Sequence, residues 1–405
     1  MINTPLSEQI RIVLYGLRNS GKSSLMNNIF EKEVSIVSEY AGTTTDPVTR
    51  SIELGKLGPV SFSDTAGFDD IGDLGKLRIK KTKDILDIAD IIVFISRIDS
   101  PPNEKEIEFL KTITNSNKKF IITLTFSDKL ENKEKIDLIK EFDFIKINNI
   151  TKEGILELKN RLIKIGDELD YEITPVEGLV KENDFVLLVT PIDLAAPKGR
   201  LILPQVETIR DLLDKDCGVL IVKERELKYF YDNIGIKPKL VITDSQAFSK
   251  VASDIPENQM LTSFSILFAR KKGELSYFIH GVKQLSRVPP NSKILILESC
   301  SHHRQADDIG TVKIPRLFKQ LVQPQVDFEF SRSLPEQDEL KKYYMVINCA
   351  GCMITRNRML KRLEILKKNG IFSINYGLFL AWVNGLLPRA LEPFEYEYNL
   401  YLEKE

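Results

Sequence analysis

"RIVLYGLRNSGKSSLMNNIF", Arg11 to Phe30, opens on an apolar run, turns through a glycine loop and closes on a helical pattern. The run is short and almost wholly apolar, as a strand buried on both faces should be. The loop Gly16-Leu17-Arg18-Asn19-Ser20-Gly21-Lys22-Ser23 fits the spacing GxxxxGK[ST]. Its backbone amides and the start of the following helix form a cradle for phosphate. Lys22 is expected to reach the β- and γ-phosphates and Ser23 to hold Mg²⁺. Gly16, Asn19, Ser20, Gly21 and Ser24 are expected to line the same cradle. A chance glycine turn is the alternative, but it explains neither the strand before the loop nor the helix after it.

Further elements follow in an order that suits a nucleotide switch. "SEYAGTTTDPVTRSIEL" is a polar loop leading into a strand, and its threonines can supply a second protein ligand to Mg²⁺. "VSFSDTAGF" is a strand ending in Asp64-Thr65-Ala66-Gly67. Asp64 is expected near the metal through water, and the Gly67 amide on the γ-phosphate. "ADIIVFISRID" and "KKFIITLTFSD" read as two more buried strands. Strands alternating with helices predict a doubly wound parallel sheet with its ligand at the C-terminal strand ends.

On these residues the first domain resembles small GTPases, most closely those of the Era/MnmE type. The resemblance implies GTP and GDP as ligands, with Thr44 ahead of Thr43 as the Mg²⁺ ligand. Asn19 falls where potassium-activated members carry an asparagine, which implies K⁺ stimulation. Phe68 occupies the place of the glutamine that orients water in Ras-like enzymes. The base-recognition motif NKxD becomes Thr125-Phe126-Ser127-Asp128. Asp128 keeps the carboxylate that reads guanine, Thr125 replaces Asn, and Phe126 replaces Lys and offers a ring to stack on the base. "INNITKEGI" resembles the loop that follows, with Asn148-Asn149 in place of Ser-Ala.

The chain of 405 residues is too long for one ordinary core. We expect three domains: a doubly wound P-loop GTPase fold at 1-170, a small α/β domain at 171-265, and a second α/β domain with a parallel sheet at 266-405. The net charge of -1 gives no support to nucleic acid or an anionic membrane as partner. No apolar run approaches the roughly 20 residues of a membrane span. The first residues lack the pattern of a signal peptide, so a cytoplasmic location is expected. In the middle domain Asp193, Lys198 and Asp244 are not assembled by any motif. Cys217 reads as a buried or idle thiol. "APKGRLILPQ" offers an apolar run for a partner surface.

The last region carries all three histidines, two of them adjacent at His302 and His303, and three of the four cysteines. "KILILE" is followed by Cys300-Ser301-His302-His303, and "YYMVIN" by Cys349-Ala350-Gly351-Cys352. Parallel strands end on one side of a sheet, so Cys300 can meet the CxxC. A redox pair, structural zinc on Cys₃His, and an iron–sulfur cluster all fit these residue types. His302 and Glu298 are candidates for a fourth ligand, and a carboxylate is the harder, looser donor to iron. His303 reads as a neighbour. Arg304 and Arg356 could hold anionic groups.

A GTPase domain, a middle α/β domain and a C-terminal CxH…CxxC together resemble the HydF family of FeFe-hydrogenase maturation GTPases, over the whole chain. "PIDLAAPKGRLILPQVETIRD" resembles that family's pairing domain, which implies a homodimer. The family motif reads CxH…HCxxC, and here Asn348 stands where the second histidine is expected. The resemblance implies a 4Fe-4S cluster on Cys300, Cys349 and Cys352. It also implies a scaffold that receives a diiron precursor from two radical-SAM maturases and delivers it to apo FeFe-hydrogenase. The competing expectation is a potassium-activated GTPase of RNA modification or ribosome assembly with a zinc-bound C-terminal domain.

Overall fold

The computed structural model describes residues 9–30, 49–64, 89–116, 118–169, 173–191, 201–298, 308–335, 337–351 and 354–403. The chain divides into two compact units, 1–171 and 172–405. Strands of the first unit are β1 (Ile10–Gly16), β2 (Thr49–Glu53), β3 (Pro59–Asp64), β4 (Ile91–Arg97), β5 (Lys119–Thr125) and β6 (Phe144–Ile147). They lie in the order β2-β3-β1-β4-β5-β6. All pairs are parallel except β2 on β3, so the α/β sheet carries one antiparallel edge.

Alternation along β1 builds two cores. Ile12 and Leu14 pack with Leu25, Ile29, Phe62, Leu158 and Leu162 on one face. Val13 and Tyr15 pack with Phe94, Phe109, Leu110 and Ile122 on the other. Successive side chains of a strand point to opposite faces, which is why an unbroken apolar run is needed here. Register aligns the strand ends: Gly16 pairs with Ile95, Arg97 with Thr125, and Thr125 with Ile147. The loops after β1, β4, β5 and β6 therefore emerge along one edge.

The second unit contains β7 (Phe185–Val189), β8 (Gly218–Val222), β9 (Leu240–Thr243), β10 (Leu261–Ser263), β11 (Ser292–Leu297), β12 (Val326–Ser331), β13 (Tyr343–Asn348) and β14 (Phe372–Asn375). They form two four-stranded sheets, β10-β9-β7-β8 and β12-β11-β13-β14, with every pair parallel. One continuous apolar core serves both sheets. Two almost wholly buried helices join them, Phe264–Lys272 after β10 and Tyr376–Val383 after β14. Each starts on a side-chain cap: Ser263 accepts from Ile266 N at 3.3 Å and Asn375 from Leu378 N at 2.8 Å. Gly377 allows their close approach, because a Cβ there would run into Ser265. Asn375 Nδ2 also donates to Ser265 O at 2.9 Å.

The division expected at residues 265 and 266 falls inside the helix Phe264–Lys272. Linker signals are absent there because the chain passes from β10 into a buried helix without a loop. No helix among the described residues is long and apolar enough to cross a membrane.

Candidate functional site

The phosphate loop is shaped by glycines and one left-handed asparagine. Gly16 faces Ile95 O so closely that a Cβ would overlap it. Gly21 has φ +88 and would press a Cβ to 2.8 Å from Asn149 Nδ2. Asn19 adopts φ 61, a conformation that asparagine enters more readily than most residues. The helix Lys22–Phe30 then begins, and Lys22 Nζ donates to Gly16 O at 2.9 Å and Leu17 O at 2.7 Å. The lysine is thus folded over the loop where phosphate oxygens are expected.

Ser23 lies against the end of β3, its Oγ donating to Asp64 Oδ2 at 3.3 Å. Asp64 Oδ1 and Ser20 Oγ are buried without a hydrogen-bond partner among the described residues. Burial pushes the Asp64 carboxyl above its ordinary value, while Lys22, Ser23 and Arg50 pull against that shift. A buried carboxylate and a serine hydroxyl are hard oxygen donors, so the set fits Mg²⁺ beside a phosphate. Thr43, Thr44, Gly67 and Phe68 lie outside the described residues. Ser24 is exposed on the helix's first turn.

Residues after β5 and β6 knit the loop in place. Thr125 Oγ1 donates to Ser20 O at 2.7 Å and to Ser96 O at 3.2 Å. Asn149 Nδ2 donates to Gly21 O at 3.3 Å, and Asn28 Nδ2 donates to Asn149 O at 2.8 Å. Asn148 Oδ1 accepts from the amides of Ile150 and Thr151 and fixes the turn. Asp128 is exposed, with Lys129 Nζ at 3.9 Å. Beneath these loops Lys135 (1% exposed) donates to Glu106 Oε2 at 2.6 Å and Ser96 Oγ at 2.8 Å. Glu106 also caps the helix Glu104–Thr114 by accepting from Asn103 N at 3.0 Å.

In the second unit the two described candidate metal residues, Glu298 and Cys349, follow neighbouring strand ends. Leu297 on β11 pairs with Asn348 on β13. The next residues are Glu298 and Cys349, and Cys349 N donates to Leu297 O at 3.0 Å. Cys349 is buried at 6% exposure. Gly310 keeps space beside Glu298, since a Cβ there would lie 3.2 Å from Glu298 Oε1 and would overlap the Tyr376 hydroxyl. Gly351 has φ +73, and its would-be Cβ is 2.8 Å from Met359 Cε, so the third place of the CxxC requires glycine. A cysteine and a glutamate following adjacent strands are of the residue types that suit a soft cluster ligand and a weaker one. Cys300, His302, His303, Arg304 and Cys352 lie outside the described residues. Among the described residues, no group of three or more metal-ligating side chains occurs.

Asn348, which stands where the motif carries histidine, is fully buried and faces away into the fold. Its Nδ2 donates to Ser373 Oγ at 2.8 Å, and its Oδ1 accepts from Arg362 Nη1 at 3.1 Å. Burial draws the Arg362 guanidinium down to about 10, opposed by Cys349 and reinforced by Arg358. Arg356 is not open to an anion as expected. Its Nη1 donates to Arg270 O at 3.2 Å, to Gly273 O at 3.3 Å and to Lys271 O, closing the C-terminus of the helix Phe264–Lys272. Cys217 is buried, its thiol pushed up by burial, and Asp244 turns back to accept from Gln246 N.

Comparison with known families fits this arrangement. Residues 176–273 match the model described as "Hydrogen maturase F dimerization domain", and residues 276–393 the one described as "Hydrogen maturase F tetramerization domain". The chain belongs to the hydrogen maturase F family. Residues 11–126 match a third model, described as "50S ribosome-binding GTPase". Curated relatives include the tRNA modification GTPase MnmE of Leptospira interrogans, 34% identical over 177 residues, covering 41% of this chain and 38% of that protein. Another is MnmE of Lachnoclostridium phytofermentans, 34% identical over 163 residues, with 40% and 35% covered. This hydrogen maturase F chain therefore spans well under half the length of those relatives. Among solved structures, the G domain of T. maritima FeoB aligns with a TM-score of 0.31 at 22% identity, covering 39% of this chain and 98% of that one.

The sequence singled out Asn19, Lys22, Ser23, Asp64 and Asp128, and the fold gathers all but Asp128 into direct contact with the phosphate loop or its neighbours. It missed the anchoring by Thr125 and Asn149, and it missed Arg97, Lys135 and Glu106. The one available signal was Thr125 itself, a polar residue at the end of an apolar strand.

Proposed function

We propose that this chain is a GTP-hydrolysing scaffold of FeFe-hydrogenase maturation. In this reading the first unit binds GTP with Mg²⁺ on Ser23 and Thr44 and with Asp64 near the metal through water, and K⁺ beside Asn19 raises the hydrolysis rate. Cys300, Cys349 and Cys352 hold a 4Fe-4S cluster with Glu298 or His302 as an exchangeable fourth ligand. Such a cluster would supply an open iron for docking a diiron precursor. That precursor is the cargo, received from two radical-SAM maturases and passed by the homodimer to apo FeFe-hydrogenase. Residues 1-170, 171-265 and 266-405 would then be the switch, pairing and cluster domains.

The observation that carries the reading is the register of β11 with β13. It sets Glu298 and Cys349 side by side at the strand ends from which the Cys300 and Cys352 segments continue. Support also comes from two family models running from 176 to 273 and 276 to 393. The competing RNA-modification reading rests on relatives similar over only 41% of the chain or less for the two compared above. Anaerobic purification with iron, sulfide and zinc analysis separates them. Brown protein with about four irons and four sulfides per chain is expected; colourless protein holding one zinc overturns the scaffold.

A further inference from the structure

The altered base-recognition loop has a second component that its own sequence does not contain. Phe126 stands where related GTPases use the aliphatic stem of a lysine to cover the purine. Its backbone is in the left-handed region, φ 59, which a bulky aromatic side chain rarely enters. The loop holds that conformation through Ser127 N to Ile147 O at 3.3 Å and Lys129 N to Phe126 O at 3.0 Å. Strain kept at one residue of a binding loop is a sign of a directed side chain.

The ring is partly buried against the core that contains Phe94 and Ile122, and a second support comes from the neighbouring strand. The Arg97 guanidinium carbon lies 4.0 Å from the Phe126 ring centroid. Arg97 is the last residue of β4 and pairs in register with Thr125, one residue before Phe126. Asp99 grips the guanidinium with both oxygens, Nε to Oδ1 at 3.0 Å and Nη2 to Oδ2 at 2.9 Å. Such a two-pronged bond fixes the plane of the guanidinium, not only its place. Asp99 thus holds the edge of the Arg97 guanidinium whose carbon lies over the Phe126 ring, beside Thr125 and its bond to the phosphate loop.

We propose that Arg97, oriented by Asp99, is a positioning residue for the nucleotide base, holding the Phe126 ring where it stacks on the purine of a bound nucleoside di- or triphosphate. The Arg97–Phe126 pair takes over the cover that a lysine stem gives elsewhere, while Asp128 keeps the hydrogen-bonding edge. The gain is in preorganisation: a lone aromatic at a loop tip must be ordered when ligand binds, and one already clamped need not be. The inference rests on the GTP reading above.

Titration of the full-length chain with a fluorescent GDP analogue in Mg²⁺ buffer, with GDP competition, tests it. Arg97→Ala is expected to weaken GDP binding about three- to fivefold, the scale of an exposed cation–π contact. Arg97→Lys should recover only part of that loss, because a cation returns to the ring without the two-pronged bond to Asp99. Phe126→Ala should cost at least as much, and the double variant no more than Phe126→Ala alone. GDP affinity unchanged in Arg97→Ala, or losses that simply add in the double variant, would overturn the role of Arg97. Wild-type protein that binds no GDP would overturn the GTP reading itself, and the inference with it. Thermal unfolding of each variant separates loss of binding from loss of fold.

Discussion

Asn348 illustrates how one side chain can change its duty within a motif. Histidine at this place would bring an imidazole next to Cys349, yet the asparagine is turned inward between Arg362 and Ser373. Arg362 is 4% exposed, and a guanidinium so deeply buried needs its acceptors. Asn348→Ala should therefore lower stability by about 1–3 kcal/mol in urea unfolding, the cost of removing one partner from a buried polar group. Iron per folded chain should stay at the wild-type level. Loss of iron without loss of stability would mean that Asn348 reaches the cluster after all.

Among the elements, β8 is an exposed edge strand of the second unit. It closes one side of its sheet and pairs only with β7 among the described residues. Ile221 on β8, Leu213 on the preceding helix and Tyr229 on the following one are all exposed large apolar residues. An open strand edge with apolar flanks is a template for pairing with another chain. All three residues lie within the segment matched by the dimerization domain. Ile221→Lys should shift the protein toward monomer in light scattering at micromolar concentration, with the circular dichroism spectrum retained. A mass identical to wild type would send the search for the interface elsewhere on the unit.

At the scale of the whole molecule, the proposed nucleotide and cluster sites fall in different units of the chain. The phosphate loop and its supports all lie within 1–171, and Glu298 and Cys349 within 172–405. Cys349→Ser should therefore lose most iron while GTP hydrolysis stays within about twofold of wild type, since the cysteine and the phosphate loop belong to different compact units. Hydrolysis that collapses together with the iron would tie the two chemistries more closely. The switch chemistry has its own check. Hydrolysis should be faster in KCl than in NaCl at equal ionic strength, and equal rates would remove K⁺ and Asn19 from the reaction.

Sequence alone determined whatever is encoded within a few neighbouring residues. Glycine spacing gave the phosphate loop, because steric demands at Gly16 and Gly21 act on the local backbone. Apolar runs gave the strands, and strand-helix alternation implied that their ends share an edge. That much brought Cys349 and Glu298 to one side. Tertiary structure alone decided the partners. Thr125 reaches Ser20 across 105 positions, Lys135 reaches Glu106 across 29, and Arg362 meets Asn348 only once its helix packs against β14. The continuous core of the second unit was equally hidden, since a buried helix carries the chain from one sheet toward the next. A hydrogen bond between distant residues leaves no periodic trace in the sequence. It depends on register and packing, which are set only when the whole sheet closes.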